Sequence, residues 1–238
     1  MKTDAICGLA AVSAVFARRP EAVLRLFYLA ERKVAAGPFC AVLAAAKKPY
    51  RMLPEEELAK VAGTGHHGGI VAVAKPLVPA ILDFAQPPQG KLLLVLDGVG
   101  NPHNLGAIAR SAAFFGVPAI LLGEGPGHAM PSDAAFRTAE GGLEHLALYR
   151  TRDLPRALKA LDPHYRTVAT TLSREAVPLG ELPRDRPVAL VLGNEETGVS
   201  APVVAACRRQ VRIGGSGRVQ SLNVAQAAAV FLHTLAAG

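Results

Sequence analysis

Two uninterrupted apolar runs, KLLLVLD at 91–97 and VALVLG at 188–193, constrain the fold more than any other feature of this sequence. A strand with one face in water alternates apolar and polar residues, but these runs are almost wholly apolar. Strands of this kind are typical of parallel sheets that are covered by helices on both faces. Because strand-like and helix-like segments alternate after residue 91, we expect a parallel-sheet α/β domain there.

The chain is predicted to have three parts. Residues 1–76 resemble a small α/β unit, the proline-containing segment 77–90 is typical of a linker, and 91–238 form the parallel-sheet domain. In the first part the pattern predicts helices near 9–18, 32–46 and from Pro54, with strands at 25–30, 50–52 and 69–75. In the last part it predicts strands at 91–97, 119–123, 145–150, 166–171, 188–193 and 210–214, helices near 103–115, 131–139, 153–161 and 201–208, and a final helix capped by Ser221.

Charge and cysteine content narrow the class of protein. The net charge is +7, and residues 1–75 hold 11 Lys/Arg against 6 Asp/Glu, so a polyanion such as nucleic acid is the expected partner, contacted by the N-terminal part. Three widely spaced cysteines predict neither a disulfide framework nor a zinc site, and they fit a reducing cytoplasm. We expect no membrane span and no metal.

Polar residues cluster where three strands meet their following helices, in 96–117, 190–200 and 211–224. The first segment places Asn101, His103 and Asn104 at a helix start, with Arg110 about one and a half turns further along an alanine-rich helix. A long cation on such a surface is predicted to face an anion. Since ligands bind at the carboxyl edge of parallel sheets, the three segments together predict one cleft.

The segment GTGHHG at 63–68 matches the dinucleotide-binding pattern letter by letter. That mechanism needs the glycines to follow a strand and open a helix, whereas a predicted strand follows them here. A dehydrogenase is therefore disfavoured. His66 and His67 are predicted to be surface-loop histidines rather than metal ligands.

NLGAIARSAAFFG, LVLGNEETGVS and GRVQSLNVAQAAAV resemble, in order and spacing, the three motifs of the SpoU (TrmH-like) family of RNA ribose 2′-O-methyltransferases. GLAAVSAVFARRPEAVLRLFYLAE and HHGGIVAV are similar to the small RNA-binding module attached to many of these enzymes, which itself resembles certain α/β ribosomal proteins. The resemblance implies S-adenosyl-L-methionine as cofactor, a homodimer with its cleft near the subunit interface, and a C-terminal chain threaded into a deep trefoil knot.

The resemblance also assigns residues to roles, position by position. It implies that Arg110 activates the ribose hydroxyl. Because a guanidinium stays protonated and cannot accept a proton, we expect Arg110 to act by gripping the adjacent phosphate and stabilising the developing alkoxide. The implied catalytic group is Arg110, Asn104, Glu195, Ser221 and Asn223, and one of the last four can take part in proton transfer. The implied cofactor-binding group is Leu192, Gly193, Asn194, Gly198, Ile213, Gly215, Ser221, Leu222 and Val224.

Two departures from the family pattern lie beside the predicted cofactor pocket. Arg212 stands where the family usually has proline, and the loop 214–218 is about two residues longer than in many relatives. These departures leave a catalytically silent RNA-binding protein of the same fold as an alternative. For an active enzyme, ribosomal RNA of the large subunit (23S type) is the favoured substrate and tRNA the alternative. Removal of 1–76 is expected to leave a folded domain that binds cofactor but handles RNA poorly.

Overall fold

In the computed structural model, which describes residues 2–236, the N-terminal part is a four-stranded sheet with three α-helices. Its elements are β1 Asp4–Cys7, α1 Leu9–Arg18, β2 Val23–Tyr28, α2 Lys33–Ala45, β3 Tyr50–Met52, α3 Glu55–Ala62 and β4 Ile70–Ala74. The strand order is β1-β4-β2-β3, in which β2 and β3 are parallel and the other pairs are antiparallel. We refer to residues 2–76 as the N-terminal module.

Two features of this module differ from the prediction. Strand β1 was missed, because four residues are too few to show a period and Gly8, with φ of 89°, separates them from the helix that follows. His67 is buried, with 2% of its surface exposed, while His66 is exposed as expected. The ring folds back under its own turn, where Nδ1 accepts a hydrogen bond from the Gly69 N–H (3.2 Å) and Nε2 lies 3.1 Å from a Glu55 carboxylate oxygen.

The rest of the chain alternates strands with helices, as predicted. Its elements are β5 Ala80–Ile81, β6 Leu92–Asp97, α4 Pro102–Phe114, β7 Ala119–Gly123, α5 Asp133–Ala139, β8 Ala147–Thr151, α6 Leu154–Leu161, β9 Arg166–Thr170, β10 Val177–Pro178, β11 Val188–Gly193, α7 Ala201–Ala206, β12 Arg209–Arg212 and α8 Val224–Ala236. The two-residue strands were not predicted, and one of them, β5, lies inside the segment expected to be a linker.

Within the described residues, these strands form one eight-stranded sheet in the order β10-β12-β9-β11-β6-β7-β8-β5, and every pair is parallel. The two apolar runs, β6 and β11, are neighbours at its centre and are buried along their full length. β11 reaches that position late in the chain, between β9 and β6.

Helices cover both faces of the large sheet, which confirms the prediction from its apolar strands. Leu92, Leu94 and Leu96 of β6 belong to the same core as α4, α5 and α8. The alternate residues Leu93 and Val95 face α6 and α7 in a second core. Because helices cover both faces of the sheet, a ligand reaches its backbone at the ends of the strands. In parallel sheets this is the carboxyl end of each strand.

The N-terminal module packs directly on the large domain near α5. The Ala5 N–H donates to Asp133 Oδ1 (2.9 Å). Arg19 donates from Nε and Nη2 to the two carboxylate oxygens of Glu144 (2.7 and 2.8 Å), and the Glu144 side chain is 1% exposed. Apolar residues of both parts belong to one continuous core, so the module is docked rather than tethered.

Candidate active site

A cavity of about 1050 Å³ opens at the carboxyl ends of β9, β11 and β12. Its walls are residues 170–172, residues 192–199, most of 212–222, and one side of α8. The volume is at the upper end of the range for small-molecule sites, roughly 300–1,000 Å³. Apolar side chains and the bare backbone of a glycine-rich loop line it together, which is the lining that a flat, partly polar nucleoside needs.

Every residue that the family resemblance assigned to cofactor binding lines this cavity. The set is Leu192, Gly193, Asn194, Gly198, Ile213, Gly215, Ser221, Leu222 and Val224. These residues come from two of the three segments predicted to form one cleft, 190–200 and 211–224, and no residue of the third, 96–117, lines the cavity. Their contact with a cofactor stays a prediction.

The turn after β11 is built on Gly193. A Cβ at this position would lie 2.2 Å from both the Gly198 carbonyl carbon and the Val199 nitrogen, so the close approach of the two backbones requires glycine. The backbone groups of Asn194 and Gly198 also hydrogen bond to each other at 3.0 and 2.9 Å. Gly198 has φ of 74°, which a residue with a side chain rarely adopts.

Asn194 ties this turn to the neighbouring loop. Its Nδ2 donates to the Gly98 carbonyl (2.8 Å), directly after β6, and its Oδ1 accepts from the N–H groups of Glu196 (2.9 Å) and Thr197 (3.0 Å). An asparagine at the top of a buried strand therefore has a structural use, since it satisfies backbone groups on both sides of the junction between β6 and β11.

Asn104, Glu195 and Asn223 form a chain of hydrogen bonds beside the cavity. Asn104 Nδ2 donates to Glu195 Oε1 in a close contact, and Asn104 Oδ1 accepts from Asn223 Nδ2 at 3.2 Å. The three side chains come from α4, from the turn after β11 and from the start of α8. Each motif thus contributes one member, and the Asn104 amide joins the other two. We call these residues the polar network.

Helix α8 begins at Val224, so the prediction that Ser221 caps it is wrong. Asn223 is the cap, because its Oδ1 accepts from the Ala225 N–H and its carbonyl accepts from the Ala227 N–H, both at 2.9 Å. Asparagine is among the strongest N-cap residues. Ser221 lies before the helix, in the exposed loop that forms a wall of the cavity.

The other polar residues at the start of α4 serve the helix itself. Asn101 is its N-cap and accepts from the His103 N–H at 2.8 Å. His103 Nδ1 lies 3.0 Å from Thr138 Oγ1 on α5. Of the cluster predicted from the sequence, Asn104 is therefore the member that joins the polar network.

Arg110 lies on the exposed side of α4, with 57% of its side chain accessible. Its Nη1 pairs with Glu140 Oε1 at 2.9 Å. The prediction that this cation faces an anion agrees with that pair, but within the described part of one chain Arg110 is not among the residues that line the cavity. Its assigned contact with an RNA phosphate stays a prediction.

Sequence reasoning missed one wall of the cavity, which consists of Thr170, Thr171 and Leu172 after β9. The available signal was the position of these residues at the end of a fourth parallel strand. The hydrogen bonds of the Arg212 side chain were also not predicted from the sequence. Its Nη1 donates to the backbone carbonyls of Ser173 (3.4 Å) and Arg174 (3.1 Å), which ties β12 to that wall.

Reactive thiols, metal-binding clusters and membrane-spanning helices are not apparent among the described residues 2–236. Burial raises the pKa of the Cys207 thiol to about 12 and that of Cys7 to about 11, which disfavours the nucleophilic thiolate at both positions. No group of three or more histidine, cysteine or acidic side chains in that range is arranged to hold a metal ion. In the same range, no helix is long and apolar enough to cross a membrane.

A solved structure of similar shape identifies the fold. The AdoMet-bound rRNA methyltransferase from Sinorhizobium meliloti matches with a TM-score of 0.80 over 98% of this chain and 86% of that one, at 24% sequence identity. The chain therefore has the fold of the SpoU-type RNA methyltransferases.

Sequence comparison specifies the family. The model of the SpoU rRNA methylase family matches residues 91–233, and the model for RNA 2′-O ribose methyltransferase substrate binding matches 5–80. The 23S rRNA (guanosine-2′-O-)-methyltransferase RlmB of Acinetobacter baylyi is 32% identical over 98% of this chain and 96% of its own length. The chain belongs to the SpoU rRNA methylase family, which confirms the resemblance stated from the motifs.

A second relative is longer. The uncharacterized tRNA/rRNA methyltransferase YfiF of Escherichia coli O157:H7 is 32% identical over 95% of this chain, and the match spans 66% of that relative.

Proposed function

We propose that this protein transfers a methyl group from S-adenosyl-L-methionine to a ribose 2′-OH of 23S-type ribosomal RNA. One observation carries the proposal: the cavity that holds all nine assigned cofactor residues adjoins a polar network with one member from each family motif. The name of the RlmB relative, whose match spans nearly both chains, supports ribosomal RNA over tRNA.

The residues present fit the cofactor. Leu192, Ile213 and Leu222 offer apolar surface for an adenine ring, and the backbone of Gly193 and Gly215 offers polar groups without a side chain in the way. S-adenosyl-L-methionine, when bound, supplies an electrophilic methyl group. The protein must therefore hold a ribose hydroxyl nearby and assist the loss of its proton.

The polar network is suited to that task. Its hydrogen bonds fix the Glu195 carboxylate, and a carboxylate can accept a proton whereas the amides of Asn104 and Asn223 cannot. Ser221, on the cavity wall, can hold a ribose or phosphate oxygen. Holding reacting groups in place lowers a barrier by roughly 7–11 kcal/mol in favourable cases.

Arg110 is assigned to the RNA phosphate rather than to proton transfer. The exposed pair with Glu140 uses only Nη1 of the guanidinium, so its other N–H groups can bind a phosphate. A fixed positive charge beside the reacting ribose would stabilise the developing alkoxide.

A homodimer is part of the proposal, because within residues 2–236 of one chain Arg110 does not line the cavity. Phe114 lies one turn beyond Arg110 on the same face of α4 and is 83% exposed. The partly exposed Val230 on α8 adds further apolar surface. A second copy covering Phe114 would come next to Arg110 and could place that residue at the partner's cavity.

The dimer is tested by sedimentation of the wild type and the Phe114→Asp variant over a range of concentrations. We expect the wild type to sediment as a dimer and the variant as a folded monomer, because the carboxylate makes burial of this face unfavourable. Val78→Asp, at an apolar position that is also exposed, is the matched control and should remain dimeric. A monomeric wild type would contradict the dimer.

The trefoil knot and the cellular location are proposals of the same kind. In support of the knot, the chain leaves β12 on the outer side of β9 and returns as α8 to pack on α4 and β11. In support of a reducing cytoplasm, Cys7, Cys40 and Cys207 are all free.

The activity is tested with radiolabelled S-adenosyl-L-methionine and total RNA from a strain that lacks the gene, followed by mapping of ribose methylation. We expect one 23S-type nucleotide to be methylated, and Arg110→Ala to lower the rate by at least about 100-fold with an unchanged Kd for the cofactor. Arg156→Ala, an exposed arginine on the opposite face of the sheet, is the charge-matched control.

Three outcomes would count against parts of the proposal. Methylation of tRNA alone would replace the substrate, and RNA binding without cofactor binding would favour the silent protein. Full activity of Arg110→Ala would remove this residue from the mechanism.

A further inference from the structure

A short segment, 140–144, which we call the turn, lies between the N-terminal module and helix α4; it begins as a turn at Glu140 and Gly141 and continues into the 3-10 helix Gly142–His145. It contains consecutive glycines that each contact a different element. A Cβ on Gly141 would lie 2.8 Å from the Ala14 Cβ on α1, and a Cβ on Gly142 would lie 2.8 Å from the Arg110 Cα. The turn therefore packs tightly against both the module and the backbone at Arg110.

Both ends of the turn carry a carboxylate that is paired with an arginine. At the module end, Glu144 is buried and accepts two hydrogen bonds from Arg19, whose Nη1 also donates to the Lys75 carbonyl (2.7 Å). At the other end, Glu140 holds one nitrogen of Arg110. The turn thus connects the N-terminal module to the guanidinium assigned to RNA.

The backbone at Glu140 supports a specific use of its side chain. Glu140 adopts φ of 45° and ψ of 43°, the left-handed region in which a residue with a Cβ is less stable than glycine. A glycine or asparagine would end α5 with less strain, but neither would reach Arg110 as this carboxylate does.

We propose that the turn 140–144 is a positioning element, in which Glu140 orients Arg110 and the Glu144–Arg19 pair fixes the N-terminal module to the same backbone. The inference rests on the proposed function. Glu140 occupies one nitrogen of the guanidinium and leaves its remaining N–H groups for a phosphate. RNA held by the module would then reach Arg110 in one fixed register.

The exposed end is tested with Glu140→Ala and Glu140→Gln, using ribosomal RNA from the strain that lacks the gene. We expect the alanine variant to lower kcat about tenfold, with the cofactor Kd unchanged and the KM for RNA unchanged or lower. The glutamine variant keeps an acceptor oxygen and should stay within about threefold of the wild type. Asp185→Ala removes another exposed carboxylate that pairs with an arginine, Arg166 on β9, and should change nothing.

The module end is tested with Arg19→Lys, which keeps the charge but cannot make both bonds to Glu144. We expect kcat to fall several-fold. Val61→Ala, which loosens α3 elsewhere in the module, is the control for loss of stability and should keep its kcat.

The outcomes separate this inference from the function on which it rests. An active wild type with an unchanged kcat in Glu140→Ala, or an equal loss in Val61→Ala and Arg19→Lys, would overturn the positioning role alone. A wild type that methylates no RNA would overturn the proposed function, and this inference with it.

Discussion

Arg212 departs from the family pattern, but its side chain makes structural contacts of its own. It stands at the usual proline position, and its guanidinium reaches across to the carbonyls of Ser173 and Arg174. Arg212 lines the cavity, and Ser173 and Arg174 directly follow residues that line it. The departure from the pattern therefore adds a hydrogen-bonded link between two walls of the cavity and does not by itself favour a silent protein.

We predict that Arg212→Ala weakens cofactor binding about tenfold, because loss of charge-assisted hydrogen bonds worth about 1.4 kcal/mol lets the wall after β9 move. Isothermal titration calorimetry with S-adenosyl-L-methionine measures the change. Arg174→Ala removes an equal charge from the loop that Arg212 contacts but keeps the backbone carbonyl, so its affinity should match the wild type. Equal losses in both variants would show that charge, not the tie, matters.

Some of the residues that line the cavity could be predicted from the sequence, but several hydrogen bonds and ion pairs around it could not. The cavity-lining group was assigned through the resemblance of two motifs to the SpoU family, and the ends of neighbouring parallel strands bring those two motifs together. The bonds of Asn194 to Gly98 and of Arg212 to Ser173 could not be predicted, since they join positions far apart in sequence. The pairing of Arg110 with Glu140 depends on a left-handed backbone that the sequence does not signal.

Among the elements, α8 combines two tasks at its first turn. Asn223 caps the helix with Oδ1 and joins the polar network with Nδ2. The two ends of one amide therefore serve stability and the site separately, and a substitution can remove one without the other.

We predict that Asn223→Asp keeps the stability of the protein but lowers methylation at least about tenfold, because aspartate caps a helix and cannot donate to Asn104. Asn223→Ala should lose activity as well and about 1 kcal/mol of unfolding free energy. Urea unfolding and methylation assays on the same preparations give both quantities. An active Asn223→Asp variant would mean that the donor end of the amide is not needed.

Elements were predictable according to length and burial. β6 and β11 are long and apolar, so their strand character and parallel setting could be predicted. β1, β5 and β10 have two to four residues, and they are strands because a neighbour pairs with them; β10, for example, pairs with Val211 and Arg212. Such pairing is a property of the folded sheet and not of the local sequence.

For the whole molecule, the docking of the N-terminal module changes what we expect of a truncated chain. Without residues 1–76, Glu144 would lose Arg19 and the core residues around α5 would lose one side of their packing. The segment 77–90 is also held, since Leu82 is buried and the Tyr165 hydroxyl donates to the Pro88 carbonyl. A chain without residues 1–76 should therefore be less stable than it would be if 77–90 were a flexible linker between two independent domains.

We predict that Arg19→Ala destabilises the protein by about 3–5 kcal/mol, because it leaves the Glu144 carboxylate buried without its partner. Urea unfolding monitored by circular dichroism measures this, with Arg25→Ala as the control, since Arg25 is an exposed arginine in the same module. A loss below about 1 kcal/mol would show that water reaches Glu144 once the arginine is gone.

The overall architecture could be predicted only as far as its class. Alternating elements and apolar strands predict a doubly covered parallel sheet. The strand order depends on which helices cross which face, and no local pattern contains that information. The same limit applies to the docking surface, where the pair of Arg19 with the buried Glu144 joins positions 125 residues apart.

The place of β11 between β9 and β6 has a consequence for synthesis. The centre of the large sheet pairs residues near 95 with residues near 190, so in a nascent chain leaving the ribosome one edge of β6 stays open until residues near 190 are made. The N-terminal sheet, complete by residue 74, can form long before. During translation the unpaired edge of β6 would be the segment most in need of a chaperone.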